Sequence, residues 1–358
     1  MNHKGTVTLE TERLIIREYN ESDLPEYHKM MSNKQNLYFL QELVTNSIEE
    51  SKDSLQNAID VTKKGKARRF CIVLKENAND KQIGAVGYEI AQETPLGKIA
   101  DPMGWFVMPE YQSKGYITEA AKRILKFAFE EDNCVRVVTG CYADNVPTQK
   151  VMDKAGFRKE AERFSASYHD GKMKDRLGYA LNKDDWDIAK EIAYYKTLPC
   201  VFNDFIEVPE LSDGVIYLVC TQKRPAIPEK KYVPAYDFAI CKGGEKVGEI
   251  NLRIGYGGFG PDESSLYYGG QIGYGIDEKY RGNGYAVRAC RLLLPVAKAH
   301  GMTKLLITNN VTNTASKRVC EKLGARFVRT VRLPEWTDLY KEGSRFNNIF
   351  EFEIGDWF

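Results

Sequence analysis

The sequence predicts an α/β fold built twice in tandem, each copy a mixed sheet with helices on both faces, and three observations carry that expectation. The chain has 358 residues, beyond the ~250 at which one hydrophobic core stops growing. A glycine-centred segment occurs twice at a fixed separation, and the strand and helix patterns around both occurrences follow in one order.

Upstream of the first glycine segment, residues 13–18 alternate like a half-buried strand. Asp23 before Leu24 and Pro25 reads as a helix N-cap with proline at the first position, and 69–74 and 82–90 form a strand pair. In the second half 214–221, 236–241 and 246–254 take similar parts. Residues 104–107 and 270–276 read as buried strands feeding Tyr111-Gln112-Ser113-Lys114-Gly115-Tyr116 and Tyr280-Arg281-Gly282-Asn283-Gly284-Tyr285. Helices are expected next over 118–130 and 286–300, then strands over 136–142 and 304–308, the second opening into a loop at Asn309 and Asn310. Short helices over 148–155 and 315–323 end at Gly156 and Gly324, where a left-handed residue closes a helix. The polar, helix-prone stretch 182–195 marks the boundary. The expected domains are therefore 1–182 and 201–358, joined by a linker helix over 183–200.

Composition narrows the function classes. Lys and Arg total 51 against 50 Asp and Glu, so no global field draws the chain to nucleic acid or an anionic membrane, and aromatic residues are not interleaved with basic runs. The eight cysteines form no C-x-x-C pair and have no histidine at zinc-finger spacing. That pattern predicts free thiols in a reducing compartment and no bound metal. The first ten residues lack the apolar segment of a leader, and no stretch approaches the ~18 apolar residues of a membrane span. A cytoplasmic protein is expected.

A strand that runs through a glycine turn into a helix points unpaired backbone N–H groups at one spot, beside the positive end of the helix dipole. Such a spot binds phosphate. Gly115 and Gly284 remove side chains where a pyrophosphate approaches, and Lys114 or Arg281 adds charge at the rim. A dinucleotide, a nucleoside triphosphate and coenzyme A all satisfy this much. The dinucleotide fingerprint G-x-G-x-x-G with its acidic partner and the nucleotide loop G-x-x-x-x-G-K-[ST] are both absent, which leaves coenzyme A.

At these residues the chain resembles the GNAT superfamily of N-acetyltransferases, whose signature is R/Q-x-x-G-x-G/A. Arg281-Gly282-Asn283-Gly284-Tyr285-Ala286 matches it in full, and Gln112-Ser113-Lys114-Gly115-Tyr116-Ile117 departs only at Ile117. The first half is similar to the ribosomal-protein-alanine acetyltransferase subgroup through Thr11-Glu12-Arg13-Leu14-Ile15-Ile16-Arg17 and the closing Asp175-Arg176-Leu177-Gly178-Tyr179-Ala180-Leu181 with Trp186.

The resemblance implies an acetyl-coenzyme A cosubstrate and direct attack by an amine in a ternary complex. It maps backbone contacts to pantetheine and thioester onto Trp105, Phe106 and Val107, and onto Tyr274, Gly275 and Ile276. Asn145 and Asn313, with Ser316 following, match the start of the family's fourth helix, where an amide helps hold the cofactor; a plain N-cap is the equal alternative. Proton removal from the amine needs a carboxylate or a water chain, and Glu89, Asp101 and Glu249 are the acids near the cleft, although solvated surface carboxylates are the commoner kind. Of His3, His28, His169 and His300, only His169 is placed to reach a cleft. The family's proton-donating tyrosine is replaced by Met152 and by Cys320, a weak donor or a small core residue. The aromatic stretch 255–260 reads as an acceptor loop or as a long hairpin connection.

The expected activity is acetyl transfer to an amine: a protein N-terminus, a lysine or a small molecule. The rival is a coenzyme A-binding regulatory or scaffolding module with one or both lobes inactive, and an acyltransferase with a longer donor is a third reading. No nucleic-acid or membrane partner is expected. A monomer is expected too, with a homodimer as the alternative, because duplication already supplies a lobe-to-lobe contact.

Overall fold

The computed structural model describes residues 7–76, 81–230 and 232–355. Its strands are β1 Thr8–Glu10, β2 Leu14–Glu18, β3 Ala67–Leu74, β4 Gln82–Thr94, β5 Gly97–Val107, β6 Cys134–Tyr142, β7 Arg158–His169, β8 Lys172–Asn182, β9 Leu211–Ser212, β10 Tyr217–Arg224, β11 Ala235–Lys242, β12 Glu245–Arg253, β13 Ile272–Ile276, β14 Lys304–Asn310, β15 Arg326–Arg332 and β16 Phe346–Glu353. The helices are α1 Leu24–Met31, α2 Ile48–Lys63, α3 Tyr116–Glu130, α4 Val146–Ala155, α5 Lys183–Lys196, α6 Ser265–Gly269, α7 Tyr285–Leu292, α8 Leu294–Ala299, α9 Thr314–Leu323 and α10 Asp338–Lys341. The chain divides into two compact units, Met1–Ile188 and Ala189–Phe358, with the division inside α5.

The first unit is one eight-stranded sheet in the order β1-β2-β3-β4-β5-β6-β8-β7. Apolar residues of α3, among them Ala120, Ile124, Leu125 and Ala128, are fully buried with Leu14, Ile16, Phe70, Ile72 and Val137 of the sheet. The helical period brings them to one stripe, and burial of each large side chain contributes about 1.5–3 kcal/mol. A second cluster, Tyr27, Met31, Leu37, Leu55 and Ile59, joins α1 to α2 and packs against Phe106 of β5. Asp23 does not cap α1 as expected. Its carboxylate is buried and accepts from the Arg17 guanidinium, the Asn20 N–H and Gln82 Nε2 at 2.7–2.9 Å, while Asn20 starts the preceding 3-10 turn by accepting from Ser22 N–H.

The second unit separates into two antiparallel sheets, β13-β12-β11-β10-β9 and β14-β16-β15, where one mixed sheet was expected. The connection from β10 to β11 holds only a 3-10 turn, Pro228–Lys230, among the described residues, where the first unit inserts α1 and α2. The single helix expected over 286–300 is broken into α7 and α8. Pro295 lies at the start of α8; it has no N–H to donate and its ring collides with the preceding turn. The loop expected at Asn309 and Asn310 is instead the end of β14, with Asn309 buried and donating to Cys320 Sγ at 3.7 Å.

Candidate active site

In each unit a strand loses one neighbour where it meets the glycine loop. In the first, β5 pairs with β4 along its length but with β6 only from Lys98 to Ala100. Thr139 Oγ donates to Met103 O at 2.7 Å, and beyond it the β6-facing edge of β5 at Trp105, Phe106 and Val107 has no ladder partner among the described residues. In the second unit Gln271 closes the gap: its N–H donates to Leu306 O, and its Oε1 accepts from Leu306 N–H at 2.6 Å. Beyond it, Tyr274, Gly275 and Ile276 pair with β12 alone. Cβ atoms placed on Gly104 or Gly275 would meet nothing within 4 Å. An unpaired edge offers backbone N–H and C=O groups to an extended ligand.

The loops then turn the same way. Gln112 Nε2 donates to Val107 O at 3.5 Å and Arg281 Nε to Ile276 O at 3.1 Å, so the first signature residue ties each loop back to its strand end. Left-handed backbone follows at Ser113 (φ 60°) and Gly115 (φ 82°), and at Gly282 (φ 83°) and Gly284 (φ 77°). Gly115 and Gly284 are themselves the N-caps of α3 and α7, and neither helix start has a side-chain cap. The N–H groups of Tyr116 and Ile117, and of Tyr285 and Ala286, are therefore free to meet an anion. Asn283 holds its loop by donating to Tyr280 O and Arg281 O.

The first loop has a brace that motif reading missed. Arg13 Nη1 donates to Lys114 O at 3.0 Å, and its Nη2 pairs with Glu119 at 2.6 Å. Its guanidinium also lies 4.6 Å from the Tyr116 ring centroid. Thr11 and the Arg13 N–H complete the ring of bonds on Glu119. Burial raises the Glu119 pKa, but these bonds outweigh it and hold the carboxyl below its usual range. The signal was present in Thr11-Glu12-Arg13; its target, about a hundred residues on, was not.

Asn145 and Asn313 act as N-caps, accepting from Thr148 N–H at 3.3 Å and Ser316 N–H at 3.0 Å. Ser316 Oγ lies 2.8 Å from the Tyr274 hydroxyl, a pairing not foreseen. Cys320 is fully buried, and burial pushes its thiol to about 12; Met152 is equally buried. Glu89 is exposed and paired with Arg69, Glu249 is 75% exposed beside Lys246, and Asp101 is exposed. His28 meets Ser51, and His300 meets Tyr236 and Val201 O. His169 is buried among Tyr38, Phe39 and Tyr142, and His3 lies outside the described residues. No metal-binding group occurs among the described residues.

A free strand edge leading into an uncapped helix start thus recurs in both units. The acetyltransferase (GNAT) domain family matches residues 13–158 and 220–326, together well over half of the chain. The chain belongs to this family, and it is an N-acetyltransferase that uses acetyl-coenzyme A as cosubstrate. It is 27% identical over 177 residues to the uncharacterized N-acetyltransferase YnaD of Bacillus subtilis, covering 49% of this chain and 98% of that one. It is 25% identical over 180 residues to N-acetyltransferase p20 of Bacillus licheniformis, covering 50% and 98%. Among solved structures, the ribosomal-protein-S5-alanine acetyltransferase of Vibrio fischeri aligns with TM-score 0.45 at 25% identity, over 50% of this chain and 98% of that one.

Proposed function

We propose that both units bind acetyl-coenzyme A, its pyrophosphate on the uncapped starts of α3 and α7 and its pantetheine along the free edges of β5 and β13, and that an amine attacks the thioester directly. The observation that carries this reading is the doubled arrangement of free edge, left-handed loop and uncapped helix start. Backbone N–H groups on those edges would meet the carbonyl oxygen as it gains charge. A cysteine acyl-enzyme is disfavoured. Cys141 is buried at the end of β6 with its thiol raised to about 11, and Cys320 to about 12, so neither supplies a thiolate near neutral pH.

The amine gives its proton to water, because Glu89 and Glu249 are exposed and tied to Arg69 and Lys246, leaving neither aimed as a base. The departing thiolate of the second unit takes a proton from Tyr274, which Ser316 orients at 2.8 Å. Burial raises the Tyr274 pKa, so the hydroxyl is protonated at neutral pH and gives its proton only to a thiolate that the same burial makes more basic. The first unit has Trp105 and Phe106 on the matching strand and relies on water. The acceptor classes are protein N-termini, lysines and small-molecule amines, and we place the chain in the cytoplasm, in keeping with its free cysteines, as a monomer.

Thiol release from acetyl-coenzyme A, measured with a panel of an N-terminal alanine peptide, a lysine peptide and spermidine, tests the reading. Release with at least one amine is expected. No release with any, while acetyl-coenzyme A still binds, would replace the enzyme by a regulatory module.

A further inference from the structure

A cavity of about 370 Å³ opens in the second unit, and no residue of the Arg281–Ala286 loop lines it. Its floor is formed where β10 and β12 end, at Arg224 and Arg253, and its walls include Tyr232, Phe259 and Tyr268. The volume suits a small molecule of drug-like size or less. Among the described residues the β10–β11 connection carries no α-helix, and residues 254–271 fold over the strand ends through α6, which leaves room for the cavity.

The two guanidinium groups differ. Arg224 is neutralised by both oxygens of Asp237, at 2.5 and 2.9 Å. Arg253 donates only through Nη1, to Gly269 O at 3.3 Å and Gly270 O at 2.9 Å, and no carboxylate pairs with it among the described residues. A guanidinium has five N–H donors, so Nε and Nη2 remain without a protein acceptor. Asp237 attracts Arg253 only at longer range and Arg224 repels it, so a half-buried cation bonded only to carbonyls gains from a ligand anion.

The walls add shape. Tyr232 and Phe259 stand edge to face at 5.3 Å, and Trp336, which does not line the cavity, packs against Phe259 at 5.6 Å and Tyr268 at 5.9 Å, so the lining rings are backed by a third and favour a flat apolar body. Of the two acids in the lining, Asp338 is engaged by Lys341 at 3.2 Å. Glu342 remains, and it disfavours a ligand with several negative charges.

We propose that this cavity binds a small organic anion, a planar apolar body bearing one carboxylate or phosphate, with Arg253 as its charge partner. No residue of the Arg281–Ala286 loop lines this cavity, and the ligand proposed for it is distinct from acetyl-coenzyme A. The full-length protein is titrated calorimetrically, without acetyl-coenzyme A, with 3-(4-hydroxyphenyl)propionate, its neutral amide, and phenyl phosphate. One saturable site is expected for an anion, with the amide at least about tenfold weaker. Tighter binding of phenyl phosphate assigns a phosphate ligand, and the reverse a carboxylate. Arg253→Met should weaken the better probe about tenfold or more. Because that change orphans two carbonyls, Phe259→Ala is measured beside it and should also weaken binding severalfold if the walls hold the ring. No saturable heat up to about 10 mM, an amide that binds as well as the acid, unchanged affinity in both variants, or displacement of the probe by coenzyme A would each overturn the proposal. Since the titration contains no acetyl donor, its failure leaves the acetyltransferase reading untouched.

Discussion

Arg13 is the most informative residue to perturb, because it ties the segment leading into β2 to the first glycine loop. Replacing it by Met keeps the length and removes three interactions: the pair with Glu119, the bond to Lys114 O and the cation over Tyr116. The Arg13 side chain is 43% exposed and Glu119 19%, and Nε and Nη2 both reach Oε2, so the pair is worth ~1 kcal/mol after solvent screening. The bond to the carbonyl adds ~1 kcal/mol and the aromatic contact ~0.5 kcal/mol. Of this sum of ~2.5 kcal/mol, about half is expressed as loop order that ligand binding would otherwise have to restore. Acetyl-coenzyme A should therefore bind the first unit roughly tenfold more weakly. The assay is calorimetry in a Gly284→Trp background, where the second loop is blocked. An unchanged dissociation constant, or a loss confined to thermal stability, would refute the assignment of Arg13 as a brace of the loop.

Three further outcomes follow from buried groups. Asp132 accepts from Arg68 at 2.7 Å, Lys98 at 2.6 Å and the Tyr88 hydroxyl at 2.7 Å. Burial raises its pKa, but these partners outweigh that and set it below the usual aspartate value. Its native pKa lies under its unfolded one, so its stabilisation is complete above about pH 4 and is lost as pH falls through the native value. Asp132→Asn should cost ~3 kcal/mol in urea unfolding at pH 7, and the gap to wild type should close as pH falls below the ordinary aspartate range. Cys320→Ala should leave turnover within about twofold and cost ~1 kcal/mol of stability; a large rate loss would make the thiol an acid after all. Tyr274→Phe, in a Gly115→Trp background, should lower kcat about tenfold or more with the acetyl-coenzyme A dissociation constant unchanged. Equal loss of both would make Tyr274 a binding residue.

Much of the fold could be read from the chain because its signals are local. Glycine after a helical stripe marks Gly156 and Gly324, both left-handed and both helix ends, and the glycine loops lie between strand and helix in both halves. Pro295 was equally local, and the unbroken apolar spacing over 286–300 outweighed it in the reading. What depended on distant partners was hidden. Nothing near Asp132 announces Arg68 or Lys98, and nothing near Arg13 announces Glu119. The separation of β13 from β14 turns on the Gln271 amide bridging to Leu306, a contact made across residues far apart in sequence. The asparagines at 145 and 313 could be read two ways, and their geometry makes them caps.

The central claim is that two loops of one design each hold an acetyl-coenzyme A. It is tested most directly by calorimetric titration of the wild-type protein and of the Gly115→Trp and Gly284→Trp variants with acetyl-coenzyme A, reading the number of sites. Both glycines have φ near 80°, so each substitution strains its turn and fills the space a pyrophosphate would take. The account predicts two sites in the wild type and one in each variant. Full wild-type stoichiometry in either variant, or no binding in the wild type, would contradict it.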